Sequence, residues 1–327
     1  MTEKTLKYID PNSKSYHEYA DHLRVYNHST QEKLKECLEK EFEKQYNNFT
    51  ITTTGSDSRL EKGPVSAIEI IIFKEGSENL EDIVSKIDSC IRNASGYRLF
   101  QEEYPEIKDI EKDEMYSCTI NKGQPNQITI ISPNRVFDSS ALYGNDNIVK
   151  KAKIKLVKEL LSEKGKTIFE KIKSRVKEHC DVSSTGVQHY KGKNIQHFDI
   201  ETGIAFYDPQ EKIWSFKQGP LRTIQYAIVR DMIKALRAGI EPDTILTLPS
   251  NTVDKLNKLE IEDMTAISEQ AIKDLTDNYK YFLWLYHKSQ MEYSKGKKEI
   301  GFDSQVVKER CESLNKLCSQ QIIKTNI

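Results

Sequence analysis

The sequence predicts an α+β protein, with a small α/β unit reaching to about residue 145 and a mostly helical unit behind it. Three observations lead there. Two strand-like runs, 49–54 and 67–73 ("AIEIIIF"), flank a turn that opens with Gly55-Ser56. From residue 147 onward, apolar residues recur at helical spacing. Within that helical stretch, a single hairpin-like segment at 195–217 breaks the period.

Taken in order, residues 1–48 form an N-terminal helical segment. Its first 28 residues are polar and tyrosine-rich without a clear period. Ser29-Thr30-Gln31-Glu32 then has capping-box form, followed by Leu34, Cys37, Leu38, Phe42 and Tyr46 at helical spacing. The β-branched run at 49–54 reads as a strand ended by Gly55. Residues 67–73 read as a second strand, buried on both faces except where Glu69 interrupts. Ser77 is placed to cap a helix whose Leu80, Ile83, Val84, Ile87 and Ile91 make one stripe. The charged stretch 100–114 reads as a loop, and strand-like runs return at 115–120 and 127–131. Residues 147–178 read as one long Lys-rich helix, and helical patterns continue to the end, broken at Pro242, Pro249 and "SKGKKEIGF". The division is therefore 1–48, 49–145 and 146–327.

Composition narrows the function classes. The 327 residues suffice for two domains and a sizeable core. Lys plus Arg (49) nearly cancel Asp plus Glu (50), so there is no overall field to hold nucleic acid or an anionic membrane. No apolar stretch approaches the roughly 20 residues of a membrane span. The six cysteines (37, 90, 118, 180, 311, 318) never form C-x-x-C, which implies reduced thiols and a cytoplasmic protein.

The stretch 52–73 carries the chemistry. Gly55 lets the backbone turn tightly and approach a ligand, and backbone N–H groups there, with the Ser56 hydroxyl, suit a triphosphate tail. Positions 67 and 69 share a strand face. Two carboxylates on that face would hold divalent ions, Mg2+ or Mn2+, beside a nucleoside triphosphate. Only Glu69 is an acid. Ala67 puts a methyl where the other should stand.

"GSDSRLEKGPVSAIEI" resembles the signature G-S-x-x-R-x-E-x-x-x-x-S-D-(I/V)-(D/E) of polymerase-β-type nucleotidyltransferases, closest to the protein uridylyl- and adenylyltransferase branch. Gly55, Ser56, Arg59, Glu61, Ser66 and Glu69 fall on its positions without a gap. "PNRVFDSSALYGN" (133–145) is similar to the family's P-x-R-x-x-D-x-x-x-x-x-G segment. "FKQGPLRTIQYAIVRDMIKALRAG" (216–239) resembles the glycine-rich L-R-D stretch that opens the family's helical region. The resemblance implies a mixed-sheet nucleotidyltransferase core at 45–145, a nucleotide in the cleft before the helical unit, and two-metal transfer of a nucleoside monophosphate. The acceptor it implies is a macromolecular hydroxyl, with a protein favoured and RNA or a small molecule as rivals. Outside the enzymes, the rival is a catalytically dead nucleotide-binding interaction module.

The chain departs from that pattern at Ala67, at Thr223 in place of the Asp after L-R, and in lacking a clear third acid. Asp113 and Glu114, or Asp199 and Glu201, are the substitutes on offer. The intact neighbours Ser66 and Glu69 favour a natively catalytic site from which one acid has been removed, and natural degeneration is the other reading. Lys217 and Arg222 flank Gly219-Pro220, a helix start with Pro at its first position that suits phosphate; an ordinary capped helix is the alternative. Arg59 either contacts phosphate or, the favoured reading, braces the turn through Glu61. His179-Cys180, His189 and His197 fit no zinc spacing, and the aromatic run 279–287 reads as core packing.

Overall fold

The computed structural model describes residues 8–42, 48–76, 80–95, 105–119, 129–131, 133–190, 192–211 and 213–325. Tyr46, Ser77 and the 120–128 segment lie outside them. The first helix, α1 (Tyr16–Glu41), starts earlier than the sequence suggests. Ser15 and Glu18 form the capping box, each accepting the other's backbone N–H, and Ser29 lies inside the helix. Both sites offer the same local S-x-x-E pattern, and the apolar residues Tyr19 and Leu23, buried against the helical unit, decide for the first.

Next come β1 (Phe49–Thr53), the short helix α2 (Gly55–Ser58), β2 (Ile70–Lys74), α3 (Glu81–Ser95) and β3 (Glu106–Asp109). A small ribbon of β4 (Ser117–Thr119) and β5 (Thr129–Ile131) precedes α4 (Pro133–Phe137) and β6 (Ser140–Gly144). The main sheet runs β3-β2-β1-β6. It is mixed: β2 pairs β1 antiparallel and β3 parallel, and β6 pairs β1 antiparallel. One face buries Phe49, Ile51, Ile70 and Ile72 against Leu34 and Leu38 of α1 and Ile83, Ile87 and Ile91 of α3. The opposite face buries Ile71 and Phe73 in the larger core shared with the helical unit. A two-sided burial of this kind produces the near-continuous apolar run of β2.

The expected charged loop at 100–114 is corrected by β3, which pairs Glu106–Asp109 with Ile71–Lys74. Its charged side chains are carried by partners: Lys108 Nζ lies 3.2 Å from Glu106 Oε1, and Arg135 Nη1 3.3 Å from Glu106 Oε2.

The single long helix expected at 147–178 is two, α5 (Asp146–Leu161) and α6 (Glu163–Thr185), because Ser162 ends one and caps the next. The hairpin region is larger than expected. β7 (Val187–Tyr190) pairs β8 (Lys193–Gln196), while β9 (Phe198–Asp199), β10 (Ile204–Asp208) and β11 (Ile213–Trp214) form a second small sheet. A π-helical turn, Lys217–Leu221, leads into α7 (Arg222–Arg237). Then follow α8 (Pro242–Leu246), α9 (Thr252–Ile261), α10 (Glu269–Ser294), β12 (Glu299–Gly301), which joins the second sheet through β10, and α11 (Ser304–Ser319). The aromatic run lies on α10, where Tyr279, Phe282, Tyr286 and His287 are buried. Among the described residues no helix is long and apolar enough to cross a membrane.

Candidate functional site

The site is built around the end of β1. Gly55 has φ +63°, and a Cβ there would lie 2.4 Å from Glu69 Oε2 and 3.1 Å from its Cδ. The Glu69 carboxylate therefore rests on the glycine itself, and glycine is required both for the left-handed backbone and for the space. The Thr54 N–H donates to the Glu69 carbonyl at 3.0 Å, extending the β1–β2 ladder beyond the strand ends. Strand alternation puts Glu69 on the face of Ile71, and Ile71 stands directly opposite Glu106 of β3. Glu69 itself precedes β2, which begins at Ile70, and Glu106 opens β3. Glu106 was hidden in the sequence because its segment lacks any apolar alternation.

The turn is locked from beneath. Asp57 and Lys62, both buried, form an ion pair at 3.0 Å, and Asp57 Oδ2 also accepts the Glu69 N–H at 3.2 Å. Burial raises the Asp57 carboxyl above its usual range even though Lys62 pulls it down, and burial lowers Lys62. The Ser56 hydroxyl has no hydrogen-bond partner among the described residues, and Ala67 is half-buried beside the turn.

Arg59 braces the turn, its side chain only 11% exposed. It pairs with Glu61 at 2.8 Å and with Asp138 at 3.1 Å; Asp138 in turn pairs with Lys255 at 2.8 Å. Glu61 also accepts the Tyr279 hydroxyl at 2.6 Å and the Thr252 N–H at 3.0 Å, and Asn251 Nδ2 donates to the Arg59 carbonyl at 2.6 Å. The turn is thus fastened to the start of α9 and to α10. Arg135, from the second matched segment, pairs with Glu106, while its carbonyl accepts the Thr54 hydroxyl at 2.7 Å. The Ser66 hydroxyl accepts from Gln290 Nε2 at 3.1 Å, and the same amide reaches Tyr286 at 3.0 Å and Tyr207 at 3.3 Å.

Lys217 and Arg222 sit on the π turn and the first residue of α7. Pro220 lies inside the π turn, not at the first position of an α-helix, so the expected helix start with Pro at its first position is corrected, and no side chain caps α7. Lys217 Nζ is 5.1 Å from the Trp214 ring centre and Arg222 Cζ 6.0 Å. Both charges are felt on α10, the helix that carries Gln290: burial first and Lys217 second lower His287 to about 3, while Arg222 acts on Tyr286. Thr223 faces α6, bonding to Ser183 Oγ at 3.1 Å and to the Gly219 carbonyl at 3.0 Å.

Of the substitute acids, Asp113, Glu114 and Asp199 are used elsewhere, and Glu201 is exposed on the turn before β10. Asp113 accepts the Asp109 N–H at 2.7 Å beyond the far end of β3, and Glu114 pairs with Lys164. Asp199 accepts the N–H groups of Glu201 and Thr202 at 3.0 and 3.2 Å, shaping the turn before β10. Among the described residues, no three His, Cys, Asp or Glu side chains gather as a metal site. Neither the comparison with protein-family models nor that with curated proteins returns a match for this chain.

Proposed function

We propose that this chain is built as a nucleotidyltransferase, moving a nucleoside monophosphate from a nucleoside triphosphate to a hydroxyl of a macromolecule, with a protein side chain as the acceptor class. The observation that carries the reading is the contact between Glu69 and Gly55. It puts an acid just ahead of the second strand against the glycine that follows the first, as phosphate and metal handling at one turn requires. The acceptor oxygen attacks the α-phosphorus, and diphosphate leaves.

The donors present do not fit a pair of divalent ions. Glu69 is one carboxylate, position 67 is a methyl, and Glu106 is engaged by Lys108 and Arg135. What the chain's own residues supply is binding, with the backbone at Gly55 and Ser56 for phosphate and the Ser66 hydroxyl, held by Gln290, as a further polar group. Ala67 favours a second reading, a nucleotide-binding module without transfer. Incubating the Ala67→Asp variant with labelled ATP, GTP, CTP and UTP, Mg2+ or Mn2+, and cell extract separates the outcomes. A labelled protein band supports the proposal, while labelled RNA or a labelled small product moves the acceptor class. Nucleotide binding without any transfer supports the module.

A further inference from the structure

Side chains from α1 claim the carbonyl groups of the turn that begins at Gly55. Asn27 Nδ2 lies 3.2 Å from the Leu60 carbonyl, 3.2 Å from the Lys62 carbonyl and 3.1 Å from the Leu23 carbonyl of its own helix. An amide nitrogen has two hydrogens, and Asn27 offers both to carbonyls. One turn further along the same face of α1, Gln31 Nε2 donates to the Asp57 carbonyl at 2.6 Å. Asn251, the N-cap of α9, takes the Arg59 carbonyl in the same way.

The backbone held by these amides is one that leucine does not favour. Leu60 has φ +58°, in the left-handed region. It stands just past α2, where the Glu61 N–H donates to the Ser56 carbonyl at 2.8 Å and the Leu60 N–H to the Asp57 carbonyl at 3.0 Å. This paired closure ends many helices, and glycine is the usual residue at its left-handed place because a Cβ is unfavourable there. A leucine keeps that conformation only where its surroundings fix it. Asn27 grips the Leu60 carbonyl itself, and the neighbouring grips fall within three residues of it. The same closure shapes the start of the turn, since it ties Ser56 to Glu61, while the Arg59 N–H donates to the Gly55 carbonyl at 3.3 Å. Gln31 in turn grips Asp57, the residue whose carboxylate accepts the Glu69 N–H. The two α1 amides thus act on both backbone stretches that bring Gly55 and Glu69 together.

We propose that Asn27 and Gln31 are positioning residues of the nucleotide turn. By holding the Asp57, Leu60 and Lys62 carbonyls they fix the Gly55-Ser56 backbone in the form that takes phosphate, without touching the ligand themselves. The identity of the ligand rests on the nucleotidyltransferase reading; the grip on the turn does not.

Asn27 is 2% exposed, so replacing it threatens the fold, whereas Gln31 is half-buried. Gln31→Met keeps the length of the side chain and removes the donor, and Gln31→Lys keeps a donor. The full chain, these two variants and Asn27→Leu are compared by hydrogen exchange over residues 55–62, by calorimetric titration with ATP and Mg2+, and by urea unfolding. For Gln31→Met the expected result is exchange about five- to tenfold faster over 55–62 and ATP binding about tenfold weaker, with the urea midpoint little changed. Gln31→Lys is expected to recover most of both, which a role in packing alone would not produce. If the unmodified chain binds no ATP at millimolar concentration, the nucleotidyltransferase reading fails and exchange alone decides, with faster exchange in Gln31→Met supporting the grip. Two outcomes overturn the proposal. One is exchange over 55–62 that is unchanged in both Gln31→Met and Asn27→Leu. The other is faster exchange with the ATP affinity of the unmodified chain preserved, which would make the contacts structural only.

Discussion

Arg59 and Asp138, 79 residues apart, meet at 3.1 Å and join the first matched segment to the second. Neither is free: Arg59 also holds Glu61, and Asp138 also holds Lys255 of α9. The pair transmits the docking of the helical unit to the turn that begins at Gly55. Removing Asp138 takes the ion-pair partner from buried Lys255 and leaves Arg59 with Glu61 alone. Asp138→Ala is expected to destabilise the fold by about 3–5 kcal/mol, read from denaturant unfolding. A loss below about 1 kcal/mol would show that water already satisfies Arg59 and Lys255.

On the proposed function, position 67 is the position that limits turnover. Ala67→Asp is expected to raise nucleotidyl transfer by on the order of a hundredfold or more, because the restored carboxylate acts on charge that develops in the transition state. Adding Glu69→Ala should abolish the gain. Equal activity in the unmodified chain, the single variant and the double variant, with Mg2+ or Mn2+, would remove these acids from the mechanism.

Glu106 gives a separate prediction. In the Ala67→Asp background, Glu106→Gln is expected to cut transfer about tenfold or more, since the lost charge faces the same sheet surface as Glu69. The amide keeps the side chain's shape, so the unfolding midpoint should move little. A large drop in stability with unchanged transfer would assign Glu106 to Arg135 and Lys108 alone.

Gly55→Ala tests the turn itself. The new methyl would meet the Glu69 carboxylate at 2.4 Å from a left-handed backbone. A loss of about 1–3 kcal/mol is expected, together with loss of ATP binding in a fluorescence titration. Unimpaired ATP binding would mean that phosphate does not approach this glycine.

Stability should fall in mild acid. Burial, the leading cause, lowers His179 to about 3, His197 to about 4 and His287 to about 3. Their unfolded counterparts titrate near 6.5, so the unfolded chain takes up protons first as pH drops. The stability these histidines permit is complete above about pH 6.5 and is lost as pH falls below it. Each contributes up to about 1.4 kcal/mol per pH unit, so the three together make the fold roughly 4 kcal/mol weaker at pH 5.5 than at pH 7.5. Urea midpoints at the two pH values check this, and a flat profile would show that these imidazoles are not held neutral.

The sequence by itself determined the strands on either side of Gly55, the helical character of the second half, and the spacing that puts Gly55, Ser56 and Glu69 at one turn. Those features are local: a β-branched run, a glycine, and a two-residue alternation specify them within some twenty positions. It did not reveal β3, because a strand whose charges are paired with Lys108 and Arg135 shows no apolar alternation. The choice of Ser15 over Ser29 as the start of α1, and the break at Ser162, depended on which faces the neighbouring helices buried. The sequence favoured Arg59 as a brace through Glu61, and tertiary structure alone supplied the rest of that brace, since Asp138, Lys255 and Tyr279 come from segments up to 218 residues distant from the turn. Buried charges of this kind exist only as sets, and the set forms only when the chain has folded.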